Sequence, residues 1–441
     1  MNTATEKPWR WLPSTYFATG TAQATIATLA LLLYKQLGVG FAEITFYTGL
    51  LFLPWLLRPL WMPFLGLIRT HRWWIVAMQL LIGIALGGIA FTIPTTHWLQ
   101  GTLFFLVILA FALAIHETET DAFYGDTIMG TTRLGLSGLP NTFRLVAFIF
   151  VQGFLVMVSG NLQVLYRNSI SLSWSLIFYA LSGFFILSWL WHRTALPTPY
   201  NEAVHILRRQ QRREQVAERW DVVKKDALSH FVQQPRKQLA ATFFFAFFFL
   251  LPDSLTSKVA MLFLVDANKN GGLGLAPQEF GLTYGTVGVV GLITGILLAK
   301  RLIRSKSLRA CLLPLSGCVL LPNALYMLLS GIQPTSLGII SCYIFAIHLG
   351  TGMAFAAFWA VVKRLIKPKG NHYLAFLTAV LALAQMLPCM ISGTLLEWLG
   401  YNTLFFVAFA CSALSVLAAL WIRMVLLSKE NSGFQSNNKR G

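Results

Sequence analysis

Four ionisable side chains, those of His116, Glu117, Glu119 and Asp121, fall within six residues of sequence. They end an apolar stretch that begins near Trp98 and is long enough for a membrane-spanning helix. A charge at the centre of such a helix costs about 2.5–3.5 kcal/mol, so we expect these groups to face water, a partner or a substrate. The alternative is a helix end among lipid headgroups, where charge costs little. The stretch predicts a polar site in a helical membrane protein.

The spacing divides these side chains between two faces of one helix. At ~100° per residue, Glu117, Asp121 and Tyr124 share one face, whereas His116 and Glu119 lie on roughly the other side. Carboxylates one turn apart repel, which favours a proton on one of them and suits a carrier of protons. A structural cluster of salt bridges uses the same residue types, so both interpretations stay open.

A few other charges lie within apolar stretches, namely Arg58, Arg144, Lys258 and Asp253, with Asp126 and Glu397 near helix ends. A buried charge is tolerated only when it is paired, so we expect ion pairs among these groups. For Glu119, the candidate partner is Arg144 on the following helix.

Two further helix faces combine aromatic rings with hydrogen-bonding groups. One carries Gln23 beside Tyr16, and the other carries His348 and Trp359 beside Phe355. Such faces suit sugar rings, although ordinary helix packing uses the same residues.

Composition places the chain among membrane proteins. It has 441 residues, of which 56% are hydrophobic and 11% charged, unlike any soluble class. Apolar runs predict an all-α fold of twelve spans, near 14–34, 44–66, 73–91, 98–124, 137–159, 170–192, 238–264, 280–300, 308–330, 336–362, 372–396 and 401–425. The first is too long for a signal peptide and should be retained.

The long sixth connection predicts two six-helix halves, 1–192 and 238–425. Between them, residues 193–237 form a basic cytoplasmic linker with an amphipathic helix or a solvated chain, and we expect a disordered cytoplasmic tail at 426–441.

The residues that give the net charge of +18 are distributed as a membrane topology predicts. Lysine and arginine concentrate in alternate loops, which puts both termini in the cytoplasm, while the outer loops hold only Lys35, Arg167 and Lys269. This pattern argues against nucleic acid as a partner. The five cysteines fall in apolar runs and predict core packing instead of disulfides or a metal site.

Enzymatic motifs are incomplete. His116-Glu117 begins like a zinc-protease motif, but Thr120 stands where the second histidine is needed. The sequence has no phosphate-binding glycine loop and no serine nucleophile elbow, so we expect neither an enzyme nor a cofactor.

Short motifs along most of the chain resemble the muropeptide permease (AmpG-like) branch of the major facilitator superfamily. They are Phe52-Leu53-Pro54-Trp55-Leu56-Leu57-Arg58-Pro59-Leu60-Trp61-Met62-Pro63, Thr120-Asp121-Ala122-Phe123, Phe143-Arg144-Leu145, Pro252-Asp253, Glu279-Phe280-Gly281-Leu282 and Tyr373-Leu374-Ala375-Phe376-Leu377-Thr378.

The resemblance implies proton-coupled import of anhydro-muropeptides across a bacterial inner membrane by a multi-pass transporter. Its partners would be a small sugar-containing solute, protons and lipid, and we expect a monomer. Asp121 or Glu117 would carry the proton. The remaining roles, ion pairing or binding of substrate carboxylates, would fall to Arg58, Arg144 and Lys258, with Asp253 also at the site. Export of an amphiphile, or a non-transporting membrane enzyme or sensor, is the alternative.

Overall fold

The computed structural model describes residues 8–128, 138–197, 236–366 and 370–437. Within these ranges the chain forms helices and no strand. The helices are α1 Pro8–Gln36, α2 Phe41–Leu50, α3 Leu53–Leu56, α4 Arg58–Ile68, α5 His71–Thr92, α6 Trp98–Ile128, α7 Leu139–Leu165, α8 Ile170–Ala195, α9 Arg236–Val265, α10 Pro277–Lys306, α11 Leu308–Gly317, α12 Leu320–Ile332, α13 Leu337–Ile366 and α14 Gly370–Asn437.

Ten helical segments among the described residues are long and apolar enough to cross a membrane. The chain is therefore a multi-pass membrane protein. The predicted span 44–66 is not one of the ten because it is divided among α2, α3 and α4. Pro54 and Pro59 lack the N–H that a continuous helix needs there.

Helix α14 covers both of the last two predicted spans. At Gly400 its backbone leaves the helical region, with φ 73° and ψ 170°. A residue with a side chain rarely adopts this positive φ, so glycine permits a break at this point.

The described helices belong to two compact units. The first unit comprises Met1–Gly40, Leu57–Arg219 and Leu275–Thr286, and the second comprises Phe41–Leu56, Trp220–Gly274 and Val287–Gly441. The domain boundaries predicted at 192 and 238 stay a prediction.

Two predicted segments at the ends of those domains fall partly outside the described residues. Most of the predicted linker, with its amphipathic helix, lies in 198–235 and is outside them. The tail predicted to be disordered from 426 is helical as far as Asn437, in a stretch without proline, and 438–441 are again outside.

Close helix packing in the second unit depends on glycine. A Cβ on Gly295 of α10 would overlap the carbonyl oxygen of Leu349, and one on Gly352 of α13 would overlap that of Leu292. Small residues allow the backbones of membrane helices to approach in this way. Nearby, the rings of Phe245 and Phe358 stack with centroids 5.4 Å apart in the core of this unit.

We expect Gly295→Ala to lower the thermal unfolding midpoint, because the new methyl group meets backbone that cannot rotate away. The cost should be about 1–3 kcal/mol. Gly183→Ala is the control, since nothing lies within 4 Å of a Cβ there and alanine favours a helix. Unfolding of purified protein in detergent measures both, and equal midpoints would contradict the packing described here.

Candidate functional site

Residues of α1, α6 and α7 form a polar cluster inside the first unit. The Arg144 guanidinium lies 3.0 Å from Asp121 Oδ1 and 3.7 Å from Glu117 Oε1. Tyr16 donates its hydroxyl hydrogen to the same Asp121 oxygen at 3.0 Å, and Gln23 donates to Glu117 Oε1 at 3.1 Å. The structure thus brings together five residues that the sequence singles out, with Tyr16 and Gln23 coming from the same face of α1.

The backbone positions Arg144 against α1. A Cβ added to Gly20 would lie 2.7 Å from the carbonyl oxygen of Arg144 and 2.8 Å from Ala147 Cβ, so only glycine lets the two helices meet here. One turn before Gly20, the Tyr16 ring lies under the guanidinium, whose Cζ is 5.0 Å from the ring centroid. A cation over an aromatic face is attracted by the ring's electron density. Tyr124 packs edge-on against Tyr16 with centroids 6.0 Å apart.

The three charges of this cluster do not balance. Two carboxylates face one guanidinium, which leaves one negative charge when both are ionised. The side chains of Glu117 and Arg144 are 17% and 19% exposed, whereas that of Asp121 is 49% exposed. The more accessible carboxylate, that of Asp121, is therefore the one that a proton donor or a cationic group can reach from outside the cluster.

Glu119 does not use Arg144, and that predicted pairing is wrong. Its carboxylate is 4% exposed and lies 2.5 Å from Nδ1 of His71 on α5, while Asp126 lies 3.6 Å from Nε2 of the same ring. Arg144 faces the other side of α6, so it cannot reach Glu119. His71 is not distinguishable by its sequence, because it begins a helix at a position that is typical of a loop.

A second polar system connects α6 to α5, α8 and α1. Gln79 Nε2 donates to His116 Nε2 at 3.1 Å, and Gln79 Oε1 lies 3.0 Å from His192 Nδ1. His116 Nδ1 lies 3.3 Å from Thr19 Oγ1, and His192 Nε2 lies 3.1 Å from Thr15 Oγ1. All five residues are fully buried.

The hydrogen bonds of this chain fix which atoms carry protons. Thr19 already donates to the carbonyl oxygen of Thr15, so its oxygen accepts from His116 Nδ1–H, and His116 Nε2 is left to accept from Gln79. Gln79 and His192 were not predicted as members of this system. Each is a polar residue within an apolar run, and this is the signal that singles out His116.

Arg58 stands apart from both systems. Its Nε is buried without a hydrogen-bond partner, and no carboxylate among the described residues is within salt-bridge distance. The expected ion pair of Arg58 is therefore absent from the part of the chain that the structure describes.

The remaining candidates lie in the second unit, and the structure does not assemble them. Asp253 borders a cavity with Phe355, and Lys258 is buried near the Cys389 thiol. His348 donates from Nδ1 to the carbonyl oxygen of Ile344 at 3.0 Å, and Trp359 is 45% exposed away from the cavity.

We expect Gln79→Leu to lower the unfolding midpoint, because it strips both buried imidazoles of a partner. An unsatisfied buried polar group costs about 1–3 kcal/mol. The matched control is Gln100→Leu at an exposed position of α6, which should change stability by less than about 0.5 kcal/mol. Thermal unfolding in detergent reads both variants, and equal effects would refute a structural role for the chain of hydrogen bonds.

No protein-family model and no curated protein matches the sequence. Solved structures do match the fold. The nucleoside transporter NupG has a TM-score of 0.69 at 14% identity, covering 93% of this chain and 98% of that one.

Two further structures are similar over most of their length. A bacterial homologue of the human lysosomal transporter Spinster has a TM-score of 0.67 at 14% identity, covering 96% and 97% of the two chains. A D-xylose–proton symporter has a TM-score of 0.61 at 13% identity, covering 94% and 95%. The chain therefore has the all-helical fold of these membrane transporters.

Proposed function

We propose that the chain is a secondary active transporter that works by alternating access and couples import of a polar solute to protons. The observation that carries this proposal is the pair of carboxylates, Glu117 and Asp121, held by one guanidinium, that of Arg144. A fold shared with a nucleoside transporter and a D-xylose–proton symporter supports it.

Asp121 is the proposed proton carrier. Arg144 and Tyr16 both bind its Oδ1, and no described residue hydrogen-bonds Oδ2. A proton on Oδ2 would neutralise the spare charge of the cluster without breaking either bond. Moving an uncompensated charge through apolar surroundings is costly, so the protonated cluster should change conformation more readily than the ionised one.

The proposed solute is an anhydro-muropeptide or another sugar-containing cell-wall fragment. The resemblance of the short sequence motifs to muropeptide permeases of the major facilitator superfamily supports this choice. Arg144 and Arg58 would bind carboxylates of the peptide part, and the rings of Tyr16 and Tyr124 beside Gln23 would suit the sugar. The alternative is export of an amphiphile, and a measurement of the direction of transport distinguishes the two.

The proposed topology has twelve spans, with both termini in the cytoplasm of a bacterium and the chain monomeric in its inner membrane. The ten long apolar helical segments, the break at Gly400 within α14 and the divided helix from Phe41 to Ile68 support the count. The excess of lysine and arginine in alternate loops supports the orientation.

In vesicles with a pH gradient, we expect Asp121→Asn to abolish uphill uptake of labelled anhydro-muropeptide. Exchange of internal for external solute should be less affected, because exchange needs no net proton movement. Asp126→Asn is the matched control, since this carboxylate is 70% exposed and outside the cluster. Accumulation by Asp121→Asn at the level of the unsubstituted protein would remove Asp121 from the coupling mechanism.

The orientation is tested with Lys269→Cys and Lys306→Cys, two exposed positions near opposite ends of α10. In a background whose native cysteines are replaced by serine, an impermeant maleimide added to intact cells should label position 269 only. Position 306 should react only after permeabilisation. The reverse labelling would overturn the proposed orientation.

A further inference from the structure

The second unit contains a cavity that the proton-coupling mechanism does not use. It is a partly open cavity between α9, α12 and α13, and the empty space of about 340 Å³ within its outline includes open solvent. Its polar and aromatic lining residues are Phe249, Asp253, Thr256, Asn323, Thr351 and Phe355. The interior admits a small group such as an ammonium, which is much less than a whole sugar–peptide.

The hydroxyl groups that line the cavity already donate their hydrogens to backbone carbonyl oxygens. Thr256 donates to the carbonyl oxygen of Pro252 at 2.9 Å, and Thr351 donates to that of Ile347 at 3.1 Å. A hydroxyl has one hydrogen and two lone pairs. What these side chains offer to a ligand is therefore an acceptor oxygen.

The amide of Asn323 also leaves only an acceptor. Its Nδ2 donates to Ser412 Oγ at 2.9 Å, and Ser412 itself donates to the carbonyl oxygen of Ala408 at 2.9 Å. Ser412 thus has no hydrogen to give, so the amide nitrogen must face it. Asn323 Oδ1 is left buried without a partner among the described residues.

Asp253 supplies the only charge among the residues that line this cavity. Its carboxylate forms no salt bridge with the residues that the structure describes. The nearest cation along α9, Lys258, is not part of the lining and lies near Cys389. Phe249 and Phe355 line the same cavity as the carboxylate, and aromatic rings attract ammonium groups.

A cavity lined by a carboxylate, two hydroxyl oxygens that can only accept and two phenyl rings favours a cationic hydrogen-bond donor over an anion. We propose that it binds a protonated amine joined to a small apolar group, and that this amine belongs to the transported solute. The second half of this statement rests on the proposed transport function, whereas the binding of the amine does not. A neutral hydroxyl compound, the competing ligand class, would satisfy the acceptors but leave the charge uncompensated.

The test is calorimetric titration of the full-length protein in detergent at neutral pH with 2-phenylethylammonium, 2-phenylethanol and phenylacetate. The ammonium probe should bind at least about tenfold more tightly than the alcohol, and phenylacetate should not bind. Asp253→Asn, which keeps the shape of the side chain, should weaken the ammonium probe by at least about tenfold and leave the alcohol unchanged. The control Asp126→Asn should bind all three probes as the unsubstituted protein does.

Equal affinity for amine and alcohol, absence of amine binding, or an unchanged affinity in Asp253→Asn would each overturn the proposal. Thr351→Val provides a second variant that keeps the shape and removes one acceptor, and it should weaken the ammonium probe by a few fold. A cooperative unfolding transition of each protein without ligand shows that it is folded, and ammonium should shift the midpoint of the unsubstituted protein but not that of Asp253→Asn.

These titrations use no membrane gradient. Amine binding without uptake in vesicles would therefore count against transport and leave the amine site standing. Uptake without amine binding would count against the amine site and leave the transport function standing.

Discussion

The structure of the first unit depends on pairing the charged and polar side chains of one apolar helix with groups on other helices. Lipid offers no hydrogen bonds, so an unsatisfied group in a membrane helix costs several kcal/mol. Arg144 meets this constraint through Asp121, Glu117 and the ring of Tyr16. Those contacts exist only because Gly20 lets α1 lie against the backbone of Arg144. A missing side chain is thus what allows the charged ones to be buried.

Helix α6 satisfies the same constraint on its two faces in different ways. On one side, Glu117 and Asp121 share a cation and retain a spare charge near solvent. On the other side, His116 and Glu119 are almost completely buried, and α5 supplies partners for both. The first face is partly open, whereas the second is closed and holds four helices together. The two faces of one helix therefore differ in what can reach their charged groups.

Several of these features could be predicted from the sequence. The others depend on how the helices pack, which the sequence pattern does not contain. Helical rotation alone separates Glu117 and Asp121 from His116 and Glu119, and Arg144 is one of the few cations available to pair with them. The partners Gln79, His192 and His71 could not be assigned, because their contacts depend on which helices become neighbours. The apolar run also predicts one continuous helix near 44–66, whereas prolines divide the stretch from Phe41 to Ile68 into three helices. Among the described residues, Arg58 forms no salt bridge with the cluster of Arg144, and Asp253 belongs to the second unit.

The Gln79 side chain has one nitrogen and one oxygen, and each contacts a different imidazole. The two rings therefore have opposite roles toward the amide. His116 accepts a hydrogen bond from it through an unprotonated nitrogen, and His192 donates one through a protonated nitrogen. Neither ring can switch between donor and acceptor alone, because a half-turn of the Gln79 amide reverses both hydrogen bonds together. The position of the proton on one imidazole therefore determines its position on the other, which lies on a different helix.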